Sequence, residues 1–327
     1  VSKDWQVSSS IAAARLVILG TGGTIAGRAS QTSDNVSYTA GQVAVADLVA
    51  AVPALSASRL EVEQVAQVDS KDMGLSVWQS LVTRLVHHLS QADVASVIVT
   101  HGTDTLEETA YLLQRLLQPA KPVVLTCAMR PASALVPDGP QNLSDAVAVA
   151  QQAQRGVLVV CAGQVHSAQD VAKIHTYRLD AFDSGDAGAL ACVEEGHVRS
   201  FRPWPDGGME PADPIRLARF LAIDALPRVE LLTSHADADG AVVRALLKLD
   251  VPRPVRGIVV AGTGNGTVHH DLIAALRDAQ AQGVRVVVSS RCAWGRVVPH
   301  PGLAFDHSSG LSPVKARLAL ALDLLGA

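Results

Sequence analysis

The chain has 327 residues, 48% of them hydrophobic but only 3% aromatic, and a formal net charge of −4. This is enough apolar material for one large domain or two ordinary ones, with a core of small and branched aliphatic side chains. Lysines and arginines occur in ones and twos, which argues against nucleic acid as a partner, and no apolar run reaches the roughly 18 residues of a membrane-spanning helix.

Short runs of Val, Ile and Leu alternate with segments of helical period, the pattern of βαβ units around a parallel sheet. The N-terminal segment VSKDWQVSSSIAAA lacks the apolar core of a signal peptide. A first strand is expected over residues 16–19; it runs into Thr21, Gly22, Gly23 and Thr24, where glycines allow a sharp turn and a close approach to a ligand. The spacing is neither GxGxxG nor GxxxxGK[ST], which counts against a phosphate site. The polar stretch from Arg28 to Gly41, with Tyr38 as its aromatic, has the composition of a lid over that turn or of an ordinary surface loop.

Residues 77–89 place Val77, Trp78, Leu81, Val82, Leu85, Val86 and Leu89 on one helical stripe. His87 and His88 at its end read as helix-terminal charges in preference to metal ligands. A strand over residues 97–100 leaves His101, Gly102, Thr103 and Asp104 ahead of a helix beginning near Thr105, whose N-terminus would favour a carboxylate or an oxyanion. Thr105 and Glu108 fit a capping box, which leaves Thr103 and Asp104 unexplained.

Further strands are expected over residues 123–126, 157–160, 229–232, 258–260 and 284–288. The last helix should run from Pro313 to about Leu325 with Ser312 as its N-cap. Pro203, Pro205, Gly207, Gly208, Pro211 and Pro214 interrupt the segment between. The expected organisation is therefore a domain over residues 1–196, a linker over 197–225 and a smaller domain over 226–327, each an α/β unit with a mainly parallel sheet flanked by helices.

A hydroxyl nucleophile needs a group that takes its proton. There is no GxSxG elbow, and His101 has no recognisable serine partner. Lys173, in QDVAKIHTYR, is an alternative base if buried, although a neighbouring Asp104 would oppose the lowering of its pKa; spacing alone does not show that it meets Thr103. Cys127, Cys161, Cys192 and Cys292 are far apart without a CxxC pair, which reads as buried thiols and favours a cytoplasmic setting, or a periplasmic one if a leader preceded Val1.

The segments TGGTIAG and HGTDTLEETAY resemble the two signatures of the bacterial L-asparaginases and glutaminase-asparaginases. The resemblance continues in order through DSKDM (69–73), AMRP (128–131), DGPQN (138–142), GVLVV (156–160), AGTGNG (261–266) and SSR (289–291). It implies a two-domain α/β subunit in a homodimer or homotetramer, with sites completed by a neighbouring subunit and no metal or organic cofactor. Thr24 is similar to the family's nucleophile and Tyr38 to its lid tyrosine, while Thr103, Asp104 and Lys173 resemble the second catalytic group. Ser70 and Asp104 resemble the residues that hold the α-carboxylate and α-amino groups of the substrate. Gly23 and Gly102 would line the pocket, Ala128 would turn its carbonyl to the scissile amide, and Asn265 would reach the neighbouring subunit's site.

Two departures stand out. Lys71 occupies a position where many exported members carry glutamine, so it is either a charged contact to the α-carboxylate or a solvated lysine. The stretch RCAWGRVVPHPGLA is short and lacks a glutamate, and His300 is either a partial substitute or an incidental loop residue. The implied activity is hydrolysis of L-asparagine, preferred over L-glutamine. The alternatives are a broad glutaminase-asparaginase, an ammonia-supplying subunit of a larger amidotransferase, and a non-catalytic amino-acid-binding regulator.

Overall fold

A computed structural model describes residues 14–153, 155–204 and 212–326; the stretch read for a signal peptide lies almost wholly outside them, as do Pro205, Gly207, Gly208 and Pro211. In chain order the first part contains β1 (Arg15–Gly22), β2 (Arg28–Ala29), β3 (Tyr38–Thr39), α1 (Val45–Ala50), β4 (Leu60–Val68) and α2 (Leu75–Leu89). There follow β5 (Val94–Thr100), α3 (Leu106–Leu117), β6 (Val123–Thr126), α4 (Gly139–Gln152) and β7 (Val157–Cys161). Then come β8 (Gln164–Ser167), β9 (Ala172–Lys173), β10 (Phe182–Asp183), β11 (Ala191–Glu194), β12 (His197–Ser200) and α5 (Pro214–Ala222). The second part contains β13 (Val229–Thr233), α6 (Ala241–Lys248), β14 (Gly257–Gly262), α7 (His270–Ala281), β15 (Arg285–Ser290), β16 (Asp306–His307) and α8 (Pro313–Gly326).

The large sheet has the order β12-β11-β8-β7-β6-β5-β1-β4. Its five strands from β4 to β7 run parallel, and β8, β11 and β12 close the other edge antiparallel. Val17, Ile18, Leu19, Val97, Ile98, Val99, Val123, Val124 and Leu125 are fully buried, so these strands carry unbroken apolar runs because both faces are covered by helices. A smaller sheet, β13-β14-β15-β16, is parallel throughout. The molecule is thus mixed α/β, with two separate and mainly parallel sheets.

The chain leaves β1 for β4 on one side and then crosses to β5 on the other. That reversal opens a crevice beyond the carboxyl ends of β1 and β5, the place where open parallel sheets bind ligands.

Several expectations change. The stretch 197–225 contains β12, which extends the first sheet, and α5, which packs on α2, α3 and α8. Pro214 starts α5 instead of interrupting it, because Asp213 accepts hydrogen bonds from the N–H groups of Ile215 and Arg216. His88 is buried and its Nε2 lies 2.8 Å from Glu63 of β4, a cross-element tie and not merely a helix-end charge. Cys292 is exposed, unlike the other three cysteines, because it sits in the loop after β15.

The last helix is more than scaffold for its own sheet. Ala316, Leu320, Ala321 and Leu324 pack on the second sheet, while Leu318, Leu322 and Leu325 enter the core of the first. Two apolar stripes on one helix join the two sheets, and Ser312 caps by its carbonyl, which accepts from Ala316 N–H at 2.8 Å.

Candidate active site

Gly22 (φ +104) and Gly23 (φ +80) bend the chain at the end of β1 into a region that favours glycine. A Cβ at Gly23 would stand 2.2 Å from Gly102 Cα, and one at Gly102 would stand 2.5 Å from Ser70 Oγ. The turns after β1 and β5 therefore touch backbone to backbone, with Ser70 beside them. Two bonds lock this arrangement: Gly23 N–H donates to the Val68 carbonyl at 2.8 Å, and the Thr21 hydroxyl donates to the Thr100 carbonyl at 3.0 Å.

Thr24 opens a short 3-10 turn, Thr24–Ala26, and is 6% exposed. Its hydroxyl lies 2.6 Å from the phenolic oxygen of Tyr38. Tyr38 is carried by the hairpin of β2 and β3, in which Ala29 pairs with Tyr38. Ala29 N–H donates to Ser133 Oγ at 2.8 Å and Leu135 N–H to the Thr32 carbonyl at 3.0 Å, so this hairpin rests on the segment after Pro131. Tyr38 is not a free tyrosine of a surface loop; burial raises its pKa, which keeps the phenol protonated near neutrality.

On the other side, Lys173 Nζ donates to Thr103 Oγ1 at 2.8 Å and to Asp104 Oδ1 at 2.6 Å. Thr103 is buried, and the Asp104 side chain is 51% exposed, so the relay runs from the interior to the mouth of the crevice. Lys173 comes from the two-residue strand β9, where it pairs with Phe182. Its own N–H donates to Glu107 Oε1 at 3.2 Å, and Glu107 Oε2 accepts from Ser312 Oγ at 3.1 Å.

Ser70, 2% exposed, accepts from Asp104 N–H at 3.1 Å. The Thr105 hydroxyl donates to the Ser70 carbonyl at 2.8 Å, and α3 has no side-chain cap, so the expected capping box does not form. Glu108 instead lies 3.5 Å from Arg317 of α8. His101 is fully buried, which pushes its pKa down to about 4, and Nδ1–H donates to the Gly102 carbonyl at 2.7 Å. A neutral imidazole is thereby built beneath the second turn as a brace.

The motifs around Ala128 acquire a physical purpose. Asp138 accepts from the N–H groups of Met129 and Arg130 at 2.9 Å each, and Asn142 Nδ2 donates to the Cys127 carbonyl at 2.9 Å. Asn142 Oδ1 also accepts from Ala162 N–H at 3.0 Å, so one buried amide fixes the ends of β6 and β7 together. Ala128 itself is fully buried and packs with Ile25 and Ala26 next to Thr24.

Gly23, Thr24, Tyr38, Ser70, Gly102, Thr103, Asp104, Lys173 and Ala128 thus form one linked cluster. Two residues stand apart. Lys71 is 61% exposed and its ammonium meets Asp69 at 2.6 Å and Asp72 at 3.1 Å, so its charge is answered locally and the expected carboxylate contact loses its support. Asn265 donates to the Val298 carbonyl at 3.1 Å and accepts from Val298 N–H at 2.6 Å, which pins the loop after β15 and occupies the amide within its own subunit. His300 is exposed and accepts from Gly302 N–H at 3.0 Å, the bond of an ordinary turn. Thr21 and Ser312, expected only as a turn residue and a helix cap, also tie the two turns and Glu107 in place, while Glu107 and Lys315 carried no expectation; Lys315 was visible as a lysine on the Leu318 and Leu322 stripe of an apolar helix.

Comparison with known proteins agrees along the chain. A family model described as "Asparaginase, N-terminal" matches residues 15–205, and one described as "Glutaminase/Asparaginase C-terminal domain" matches residues 228–325. The chain is 36% identical over 318 residues to the "Probable L-asparaginase periplasmic" of Haemophilus influenzae, spanning 94% of this chain and 88% of that protein. It is 35% identical over 325 residues to "L-asparaginase 2" of Escherichia coli (97% and 90%), and 34% identical over 324 residues to the "Glutaminase-asparaginase" of Pseudomonas fluorescens (96% and 87%). The crystal structure of the "Probable Cytoplasmic L-asparaginase from Campylobacter jejuni" superimposes with a TM-score of 0.87 at 36% identity, covering 96% of each chain. With both domains matched in order and relatives aligned over nearly its whole length, the chain belongs to the asparaginase family, amidohydrolases that act on linear amides.

Proposed function

We propose that this protein is an L-asparaginase that hydrolyses the side-chain amide of L-asparagine to L-aspartate and ammonia, with Thr24 as the nucleophile. The observation that carries this reading is the pair of engaged hydroxyls at one crevice, Thr24 on Tyr38 at 2.6 Å and Thr103 on Lys173 at 2.8 Å. A free alcohol is a weak nucleophile near neutral pH, and each of these has a partner in position to exchange its proton. Thr24 Oγ adds to the amide carbon, its proton passes to Tyr38, and the phenol's own proton goes to the departing nitrogen, which leaves as ammonia. Water then attacks the β-aspartyl ester. Lys173, Thr103 and Asp104 orient that water, its proton returns to Thr24 and L-aspartate is released.

Ser70 and Asp104 are suited to the α-carboxylate and α-ammonium of the substrate, one through its hydroxyl and the other through its charge. Asparagine is preferred over glutamine in this proposal, because the loop after β15 has no carboxylate to support a longer side chain. A homodimer or homotetramer completes the site, consistent with the exposed Val36, Leu135 and Val136 at and beside the hairpin that bears Tyr38. The buried free thiols Cys127, Cys161 and Cys192 favour the cytoplasm over the periplasm. Among the described residues no helix is long and apolar enough to cross a membrane.

The test is ammonia release from asparagine and glutamine by the intact protein beside Thr24→Ala and Thr103→Ala. Normal turnover by both variants sinks the mechanism, and similar kcat/KM for the two amides sinks the preference in favour of a glutaminase-asparaginase. After rapid acid quench, an aspartyl adduct on the peptide that carries Thr24 is expected in mass spectra. Its absence during rapid turnover points to direct attack by water assisted by Thr103.

A further inference from the structure

Lys315 belongs to α8, which packs on the second sheet, yet it is only 1% exposed. Its ammonium donates to the carbonyl of Gln169 at 3.0 Å and to that of Val171. Those carbonyls lie just ahead of Lys173, the lysine engaged with Thr103 and Asp104. A second tie runs beside the first: Ser312, also at the start of α8, holds Glu107, and Glu107 receives the Lys173 N–H. The strand that presents Lys173 is therefore gripped from the second domain at both ends of residues 169–173.

Burying an ammonium costs several kcal/mol unless the surroundings compensate. Lys315 has no carboxylate within 4.0 Å among the described residues; Glu107 and Asp170 act on it from farther away, Asp170 being itself paired with the Arg202 guanidinium at 2.8 Å, and the charges of Lys315 and Arg202 both disfavour a proton on His166. Burial lowers its pKa to about 8, the mark of a charge kept at a loss. Among the described residues, its hydrogen-bond partners are two backbone carbonyls of an otherwise irregular segment. An apolar side chain there would remove both of these bonds, leaving the segment its own turn contacts from Ser167 and the Arg202–Asp170 pair but no tie to α8 through residue 315.

We propose that Lys315 is a positioning residue for Lys173: by clamping the 169–171 backbone from α8, it sets the reach of Lys173 to Thr103, so the relay is complete only when the two domains are docked. This rests on the reading of Lys173 as part of the reaction, and the two can fail separately. Lys315→Met keeps the length and apolar stem but removes the charge and the donors. The expected result in the intact protein is a kcat for asparagine lowered about 10- to 100-fold, the range for slight misplacement of a reacting group, with KM within about 2-fold. The thermal midpoint should hold or rise, because a desolvated charge is gone. Glu107→Gln, which weakens the parallel tie, should lower kcat in the same direction with KM unchanged, and serves if Lys315→Met is insoluble.

A kcat within about 2-fold of wild type for both variants, beside an inactive Lys173→Met, overturns the positioning role and leaves the mechanism standing. Full activity of Lys173→Met overturns both. A fall in kcat accompanied by a lower thermal midpoint and a raised KM marks a general packing defect, which also overturns the proposal.

Discussion

The threonines after β1 and β5 face one crevice but are supported in opposite ways. Thr24 is met by one phenol on a hairpin of two-residue strands, held by a few bonds to Ser133 and Leu135. Thr103 is met by an ammonium whose strand is tied to α3 and, through Lys315 and Ser312, to α8. The first support rests on a two-strand hairpin with few ties, and the second on a strand tied to helices that pack against both sheets. On the proposed function, a nucleophile that must admit substrate benefits from the former, and a relay that must hold its geometry through turnover from the latter.

The largest expected effect comes from cutting the rigid side: Thr103→Ala or Lys173→Met should lower kcat by roughly 10³-fold or more with a folded protein, measured by ammonia release. A loss under 10-fold would make the β5 turn a binding wall and end the comparison.

Acid should separate the two turns next. His101 lies under the β5 turn and His166 beside the Lys173 segment, and burial holds both near pKa 4. The unfolded chain takes up these protons near pH 6.5 while the folded chain resists until about 4, so their contribution is complete above pH 6.5 and is lost as pH falls through 4. Each is expected to remove up to about 3 kcal/mol across that window. Urea denaturation at pH 7 and pH 4.5 should show the loss, and His101→Gln should flatten it. Equal slopes for variant and wild type would refute the assignment.

On the local side, Tyr38→Phe should reduce kcat about 10- to 100-fold by deleting one hydroxyl, with stability changed by less than about 1 kcal/mol. A larger drop in thermal midpoint would show that the hairpin carries core stability. The smallest effect is reserved for Lys71→Ala, where KM for asparagine should stay within about 2-fold, since Asp69 and Asp72 already hold the ammonium. A KM raised 10-fold would restore its contact with substrate.

Much of this was legible because parallel strands buried on both faces write themselves as apolar runs, and glycines at their ends mark where the backbone turns. The two threonine turns followed from that alone. Lys173 reaching Thr103 did not, because β9 has two residues and no propensity signature, and the two residues are 70 positions apart in the chain. Pro214 was misleading for a different reason: proline both breaks helices and begins them, and only the Asp213 side chain decides which. The pairing of the Asn265 amide with both backbone groups of Val298 was not legible either, because no local pattern announces a side chain that satisfies a backbone pair 33 residues away.

The contact between Gly23 and Gly102 restricts how the pocket can be redesigned. At that seam two main chains form the wall, so there is no side chain to shorten, and a Cβ added to Gly23 would collide at 2.2 Å and one added to Gly102 at 2.5 Å. On the proposed function, changes in substrate size would therefore come from the Tyr38 hairpin or the loop after β15, while the seam between the two turns keeps its shape.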